Sequence, residues 1–425
     1  MASNEPGSLP GSLPGSSSKA GSGFSVWLNK RLPVQQFVRE QLLDYYAPKN
    51  FNIWYFFGSL ALLVLVMQLV SGIFLTMFYK VGETSSFDSV EFIMREVPYG
   101  WLIRNLHSTG ASAFFIVIYL HMYRALMYGS YKAPRELLWL FGMFIYLALM
   151  AEAFMGYVLP WGNMSYWAAQ VIINIFSTIP VIGSGLVEWI RGDYGVADAT
   201  LSRFFSLHVV AIPLVLLLLV ALHLVALRQV GSNNPDGVEI KDYKGSDGKP
   251  LDGIPFHPYY TVKDVFGVGL FLTLFAVVVF FVPTFGNLFM EEANFEPANA
   301  LSTPDPIAPS WYFTPFYAIL RAVPNQRIGA LLLLLAVLAF FFLPWLDRSP
   351  VKSVRYRGWL FRAFLAVFTV SFVALMYLGL KPATPSYVAA ARVFAVGYFA
   401  FFLLMPWYSR WDKVRPVPQR VSFHG

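Results

Sequence analysis

Eight runs of apolar residues dominate this chain, near residues 55–78, 106–127, 137–158, 205–227, 265–284, 328–346, 360–380 and 390–409. Each is close to the roughly 20 residues that a helix needs to cross the ~30 Å hydrocarbon core of a bilayer. Lipid offers no water to satisfy a peptide group, so such segments must bond internally as helices. The 425 residues are 57% hydrophobic and only 13% charged, too apolar a balance for an ordinary soluble domain. The expected fold is an all-α membrane protein with eight transmembrane helices.

Eight spans put both termini on one side. That side then carries 22 of the 31 Lys and Arg residues, and the other side 9. Basic residues gather in cytoplasmic loops, so both termini are expected to be cytoplasmic. The net charge of +7 thus reads as a topology signal, and no nucleic-acid partner is expected. Residues 1–25 are rich in Gly, Ser and Pro and read as a disordered tail. No cleavable signal peptide is read there. The chain has no cysteine, which excludes thiolate-bound iron–sulfur clusters and covalent CxxCH haem. A redox centre would need other ligands.

Histidine supplies them. His257 falls in a loop and His424 in the tail; His107, His121, His208 and His223 fall in two apolar runs. A spacing of 14 residues comes within about 40° of whole helical turns, so His107 and His121 share a face about 21 Å apart along the axis. His208 and His223, 15 apart, share a face within about 60° and about 22 Å. Two such helices can face each other with one histidine pair at each of two depths. A lone membrane histidine is often a packing residue or part of a proton path. Zinc would need three or four ligands close together. Two imidazoles per iron fit a six-coordinate b-type haem, which has no open position and favours electron transfer. Gly58 and Gly72, and again Gly142 and Gly156, repeat the 14-residue interval. They are read as clearance for two macrocycles, the alternative being ordinary small-residue packing. Arg104 and Arg124, one turn outside His107 and His121, suit anionic propionates, or simply snorkel at the membrane edge.

The stretches GWLIRNLHSTGAS, MGYVLPWGNMSYWAAQVI, RFFSLHVV, GSNNPDG, IPFHPYYTVKD and WYFTPFYAILRAVPN resemble the cytochrome b family of ubiquinol–cytochrome c reductase, complex III. The resemblance runs from about Leu32 to Arg410, with all eight helices on one chain, unlike the split plastid-type relatives. It implies an N-terminal four-helix domain (26–235) holding two non-covalent b haems and a C-terminal domain (236–425) completing two quinone sites. His107 and His208 would ligate the outer haem, His121 and His223 the inner one. Quinol would be oxidised outside and quinone reduced inside, in a Q-cycle that builds a proton gradient. The implied partners are a Rieske iron–sulfur protein, a c-type cytochrome, a second copy of the complex and membrane lipid, in a bacterial plasma membrane. The resemblance places Phe154, Tyr157, Pro309, Ser310, Trp311, Tyr312 and Tyr317 at the outer quinone site. It places Arg228, Ser232, Lys263 and Asp264 at the inner one.

Departures from the family pattern carry their own expectations. The usual Pro-Glu-Trp-Tyr reads Pro309-Ser310-Trp311-Tyr312, so a carboxylate often given a proton-accepting role is missing. Glu152, in an apolar stretch where a charge is expensive and usually functional, is expected to replace it; the alternative is a structural glutamate paired with arginine. Ala168 stands where many relatives have glycine, implying weaker binding of strobilurin-type inhibitors. Arg228 stands where many relatives place a histidine; arginine can bond a quinone oxygen but does not readily give up a proton, leaving delivery to Asp264 or water. Two rivals remain at this level. An eight-helix secondary transporter would use the intramembrane His, Arg and Glu for coupling. A haem-binding membrane anchor would not need the WYFTPFYAILR loop.

Overall fold

A computed structural model describes residues 23–33, 36, 39 and 44–422. The expected disordered tail lies outside the described residues, apart from its last few positions. Among the described residues, eight helices are long and apolar enough to cross a membrane: α1 (Ile53–Thr76), α2 (Gly100–Tyr128), α3 (Glu136–Val158), α4 (Asp198–Val230), α5 (Phe256–Phe281), α6 (Gln326–Leu346), α7 (Trp359–Gly379) and α8 (Pro385–Leu403). The sequence expected these eight, with every start placed later than the structure has it and four of the ends placed beyond it. Helix α4 in particular starts seven residues early, because amphipathic Asp198–Ser206 continues straight into the apolar run.

Local chemistry sets the ends. Gly129 terminates α2 in the left-handed region (φ 64°), its amide bonding back to the Ala125 carbonyl, a conformation glycine adopts without a Cβ penalty. The Asn325 side chain caps α6 by accepting from the Ile328 amide at 3.1 Å. Within α4, Leu207–Ala211 forms a single π-helical turn that contains His208. Such a turn takes up one extra residue. It therefore absorbs the one-residue excess in the His208–His223 interval and keeps both rings on one face.

The N-terminal four helices and the last three join through one aromatic core. Phe115 on α2 stacks on Tyr312 at 3.9 Å, with ring planes only 2° apart. Trp139 on α3 donates to the Phe340 carbonyl on α6 at 2.8 Å. In lipid, apolar contact alone does not drive helices together, so such polar clasps and close packing carry association. The segment between α5 and α6 folds back into the bundle, burying Trp311, Tyr312 and the short helix Thr314–Arg321.

The segment just ahead of α1 and the C-terminal tail meet at one end of the bundle. Strand β1 (Tyr46–Pro48) pairs antiparallel with β2 (Gly253–Pro255). The C-terminal tail joins them: Arg420 binds Asp252 at 2.6 and 3.0 Å, and Lys49 binds the same carboxylate at 2.8 Å. Burial alone would raise the Asp252 carboxyl, but these hydrogen bonds and the Val421 amide outweigh it and bring it down to about 2. A depressed carboxylate stabilises the fold fully above its unfolded value of about 4 and loses that contribution as pH falls through its folded value. Acidification from about pH 4 toward 2 is thus expected to free the C-terminal tail. Pepsin digestion across that window checks it: cleavage near Arg420 should precede cleavage between helices.

Candidate haem and quinone sites

The four membrane histidines meet in two pairs. The rings of His107 on α2 and His208 on α4 lie 6.1 Å apart, centroid to centroid, with their planes at 90°. Two imidazoles bound to one metal from opposite sides, at metal–nitrogen distances of about 2 Å, place their centroids about that far apart. At the other depth His121 and His223 lie close enough to feel each other's charge, Gly58 standing behind one ring and Gly142 behind the other. Among the described residues no group of three His, Cys, Asp or Glu side chains could hold a metal. A two-imidazole site therefore fits and a zinc-type cluster does not.

The four glycines answer to the four histidines one by one. A Cβ on Gly72 would stand 3.2 Å from the His107 ring, on Gly58 3.5 Å from His121, and on Gly142 3.3 Å from His223. On Gly156 it would collide with His208. The protein atoms nearest each glycine are therefore those of an imidazole: α1 backs both histidines of α2, and α3 backs both of α4.

The Nδ1 atoms of one pair have partners on the neighbouring helices. His107 Nδ1 meets the Ser71 hydroxyl at 2.9 Å. His208 Nδ1 meets the Glu152 carbonyl at 2.9 Å and its carboxylate at 3.0 Å. Glu152 is thus bound to a candidate ligand, neither paired with an arginine nor turned to Tyr157. Arg124 stacks over Tyr55 at 4.7 Å, and its buried Nε has no partner. An unpaired buried donor one turn from His121 fits an anionic propionate. Arg104 contacts Ser108 and Met290 and lines the cavity beside His107 and His208.

That cavity, about 260 Å³, extends from the His107–His208 pair toward the loop before α6. Glu152, Tyr157, Ser310 and Tyr312 line it. Four further candidates do not. Phe154 packs edge-on against Phe204, and Trp311 donates to Ser112 at 3.0 Å. Tyr317 donates to the Ile307 carbonyl at 3.1 Å, and Pro309 is buried beside Ser310. Ala168 is buried in the helix Asn163–Ile175 and does not face the cavity.

Sequence reasoning missed Glu291. It lines the cavity, accepts from the Tyr157 hydroxyl at 3.1 Å, and sits beside Asn294, whose amide bonds both at 2.9 and 3.2 Å. The signal was present as an adjacent acid pair, Glu291-Glu292, in an otherwise aromatic and apolar loop.

At the opposite end the four inner-site candidates fall into two groups. Arg228 lies over the Tyr45 ring at 4.0 Å, and the Tyr45 hydroxyl meets Ser232 at 3.1 Å. Lys263 turns to Tyr259 at 4.6 Å, and Asp264 faces Ser59. One Arg228 guanidinium nitrogen is buried without a partner. Tyr45, which sequence reasoning also missed, links the first group to the N-terminal segment.

Two family models match the chain: cytochrome b/b6/petB over residues 42–231 and the C-terminal cytochrome b/b6/petD over residues 297–399. It is 58% identical to cytochrome b of Allochromatium vinosum over 404 residues, covering 93% of this chain and 97% of that one. It is 49% identical to cytochrome b of Rhodospirillum rubrum over 397 residues, covering 93% and 95%. A solved structure described as a hyperthermophilic respiratory complex III matches with a TM-score of 0.84 at 39% identity, covering 91% of this chain and 98% of that one.

Proposed function

Because the chain belongs to the cytochrome b family, as an integral-membrane core subunit of bacterial complex III that binds b-type haem, we propose that it runs a Q-cycle between two ends of one helix bundle. Quinol is oxidised in the cavity beside His107 and His208; quinone is reduced near Arg228 and Ser232. Two b haems, one held by His107 and His208 and one by His121 and His223, supply a pair of one-electron carriers at two depths. The observation that carries this reading is the two facing histidine pairs, each ring backed by its own glycine.

The chain's own residues do the rest. Ser71 and Glu152 bond the outward Nδ1 atoms of His107 and His208 and so hold the rings in orientation. Arg104 and Arg124 answer negative charge at the two haem edges. Tyr312, stacked on Phe115, forms a fixed cavity wall. Arg228 offers an unpaired donor to a quinone oxygen. The domain division at 235/236, the homodimer, and the Rieske and c-type partners docked at the cavity end complete the proposal. So does a bacterial inner membrane with both termini on the cytoplasmic side. The cation excess at the end that gathers both termini supports that orientation.

A reduced-minus-oxidised absorbance spectrum of the purified complex, with haem counted per chain, tests this. Two non-covalent b haems with distinct potentials are expected, together with quinol-dependent reduction of a c-type cytochrome. Folded material without haem would overturn the proposal.

A further inference from the structure

Oxidising quinol breaks two O–H bonds and yields two protons and two electrons, so the cavity needs a base. The charged or titratable groups lining it are Tyr79, Arg104, His107, Glu152, Tyr157, His208, Glu291 and Tyr312. Arg104 is a cation. His107 and His208 are taken as ligands, and Glu152 is tied to His208 through one carboxylate oxygen, the other being buried without a partner. The phenols are poor bases in their neutral form, and burial pushes Tyr312 further up. Ser310 is a hydroxyl. Only Glu291 remains as a carboxylate not tied to a ligand.

We propose that the Glu291 carboxylate, hydrogen-bonded to the Tyr157 hydroxyl on the cavity wall, accepts one proton of the quinol as it is oxidised. This rests on the quinol-oxidising reading given above. Tyr157 and Glu291 both line the cavity and are hydrogen-bonded to each other, so the proton crosses either directly or by exchange through the phenol hydroxyl. The second proton leaves at the docked iron–sulfur partner. One electron goes to that partner and the other to the haem pair. Glu291 sits in the loop between α5 and α6, a segment that reaches solvent, and can pass its proton out of the membrane to water.

Electrostatics agree with that placement. Burial raises the Glu291 carboxyl to about 7, against the opposing pull of its own backbone amide, Tyr157 and Asn294. A base poised near the working pH is the most effective kind. The ionised form is the acceptor, so activity of the parent should rise with pH through about 7.

The test measures quinol:cytochrome c turnover of the assembled complex from pH 5.5 to 9 (a range of about that width spans the group), with haem content recorded alongside. E291Q should lose at least about tenfold in turnover and lose the rising limb, with both haems retained. E291D should recover part of the rate with a displaced limb, and E292Q should match the parent. E291Q at full rate with the limb intact overturns the proposal while leaving quinol oxidation itself standing. Should E291Q fail to bind haem, E291D decides: a limb unmoved at full rate overturns it. A parent complex whose rate is flat through pH 7 also overturns it without any variant. A parent that carries haem but turns over no quinol points to failure of the underlying reading instead.

Discussion

On the proposed ligand pairing, replacing His208 with alanine should cut the haem content of the assembled complex from the proposed two per chain to one and abolish quinol-dependent reduction of an added c-type cytochrome. His208 faces His107 alone at its depth, and the other pair lies about 21 Å further along the helices, too far to compensate. The cavity-side component of a potentiometric titration should vanish while the second keeps its midpoint. Glycine variants give a graded companion. A Cβ at position 156 would overlap the His208 ring, whereas at 58 it would stand 3.5 Å from His121, an ordinary contact. G156A should therefore shift or lose the same component with His208 still in place, and G58A should change little. Retention of both haems at parental potentials in H208A would reject the ligand pairing.

The helices and the histidine pairs were legible because both depend on spacing along single segments. Apolar length announces a spanning helix, and intervals of 14 and 15 residues place rings on one face. Residue type and period also located the four glycines, but not what they touch, since that depends on which helix packs against which. The π turn at Leu207–Ala211 left no signal beyond the odd spacing it corrects. Glu291 stayed hidden for a different reason. Glu291 and Glu292 are chemically alike, and only the path of the loop turns one into the cavity and the other to solvent. Glu152 stands out as the costly intramembrane charge; the structure bonds one of its carboxylate oxygens to His208 Nδ1 and leaves the other buried without a partner.

The loop charges were read as a topology signal, and several proved to be internal ties as well. Arg135, 2% exposed, bonds Glu239 with both terminal nitrogens at 2.6 and 2.8 Å and the Gly231 carbonyl at 2.9 Å. Its partner lies 104 residues away in sequence. Composition shows both charges and cannot show that they meet. The same loops thus carry the cation excess that sets orientation and the buried pairs that close the non-cavity end of the bundle.

The strongest of those ties is Asp347, and its removal should destabilise the chain more than any loop substitution. Both Asp347 and Arg357 have fully buried side chains, bonded at 2.5 Å, and Asp347 also accepts from Tyr131 at 2.7 Å and meets Lys132 at 3.2 Å. One carboxylate therefore joins the end of α6 to the turn after α2 and to the approach to α7. Burial would raise its carboxyl, but Arg357 and Lys132 outweigh that and hold it below the usual range. The contribution is therefore complete above the ordinary carboxylate range and fails only as pH drops through the folded value. D347A leaves Arg357 buried against Phe361 with no counter-charge, and one of its guanidinium nitrogens already lacks a partner. Breaking a buried pair from one side costs about 3–5 kcal/mol, so thermal unfolding of the assembled complex at neutral pH should begin several degrees lower. The double variant D347A/R357M replaces the stranded cation with apolar volume and should recover most of that loss. If D347A alone unfolds where the double variant does, the penalty is not the unpaired charge, and Tyr131 and Lys132 hold the junction instead.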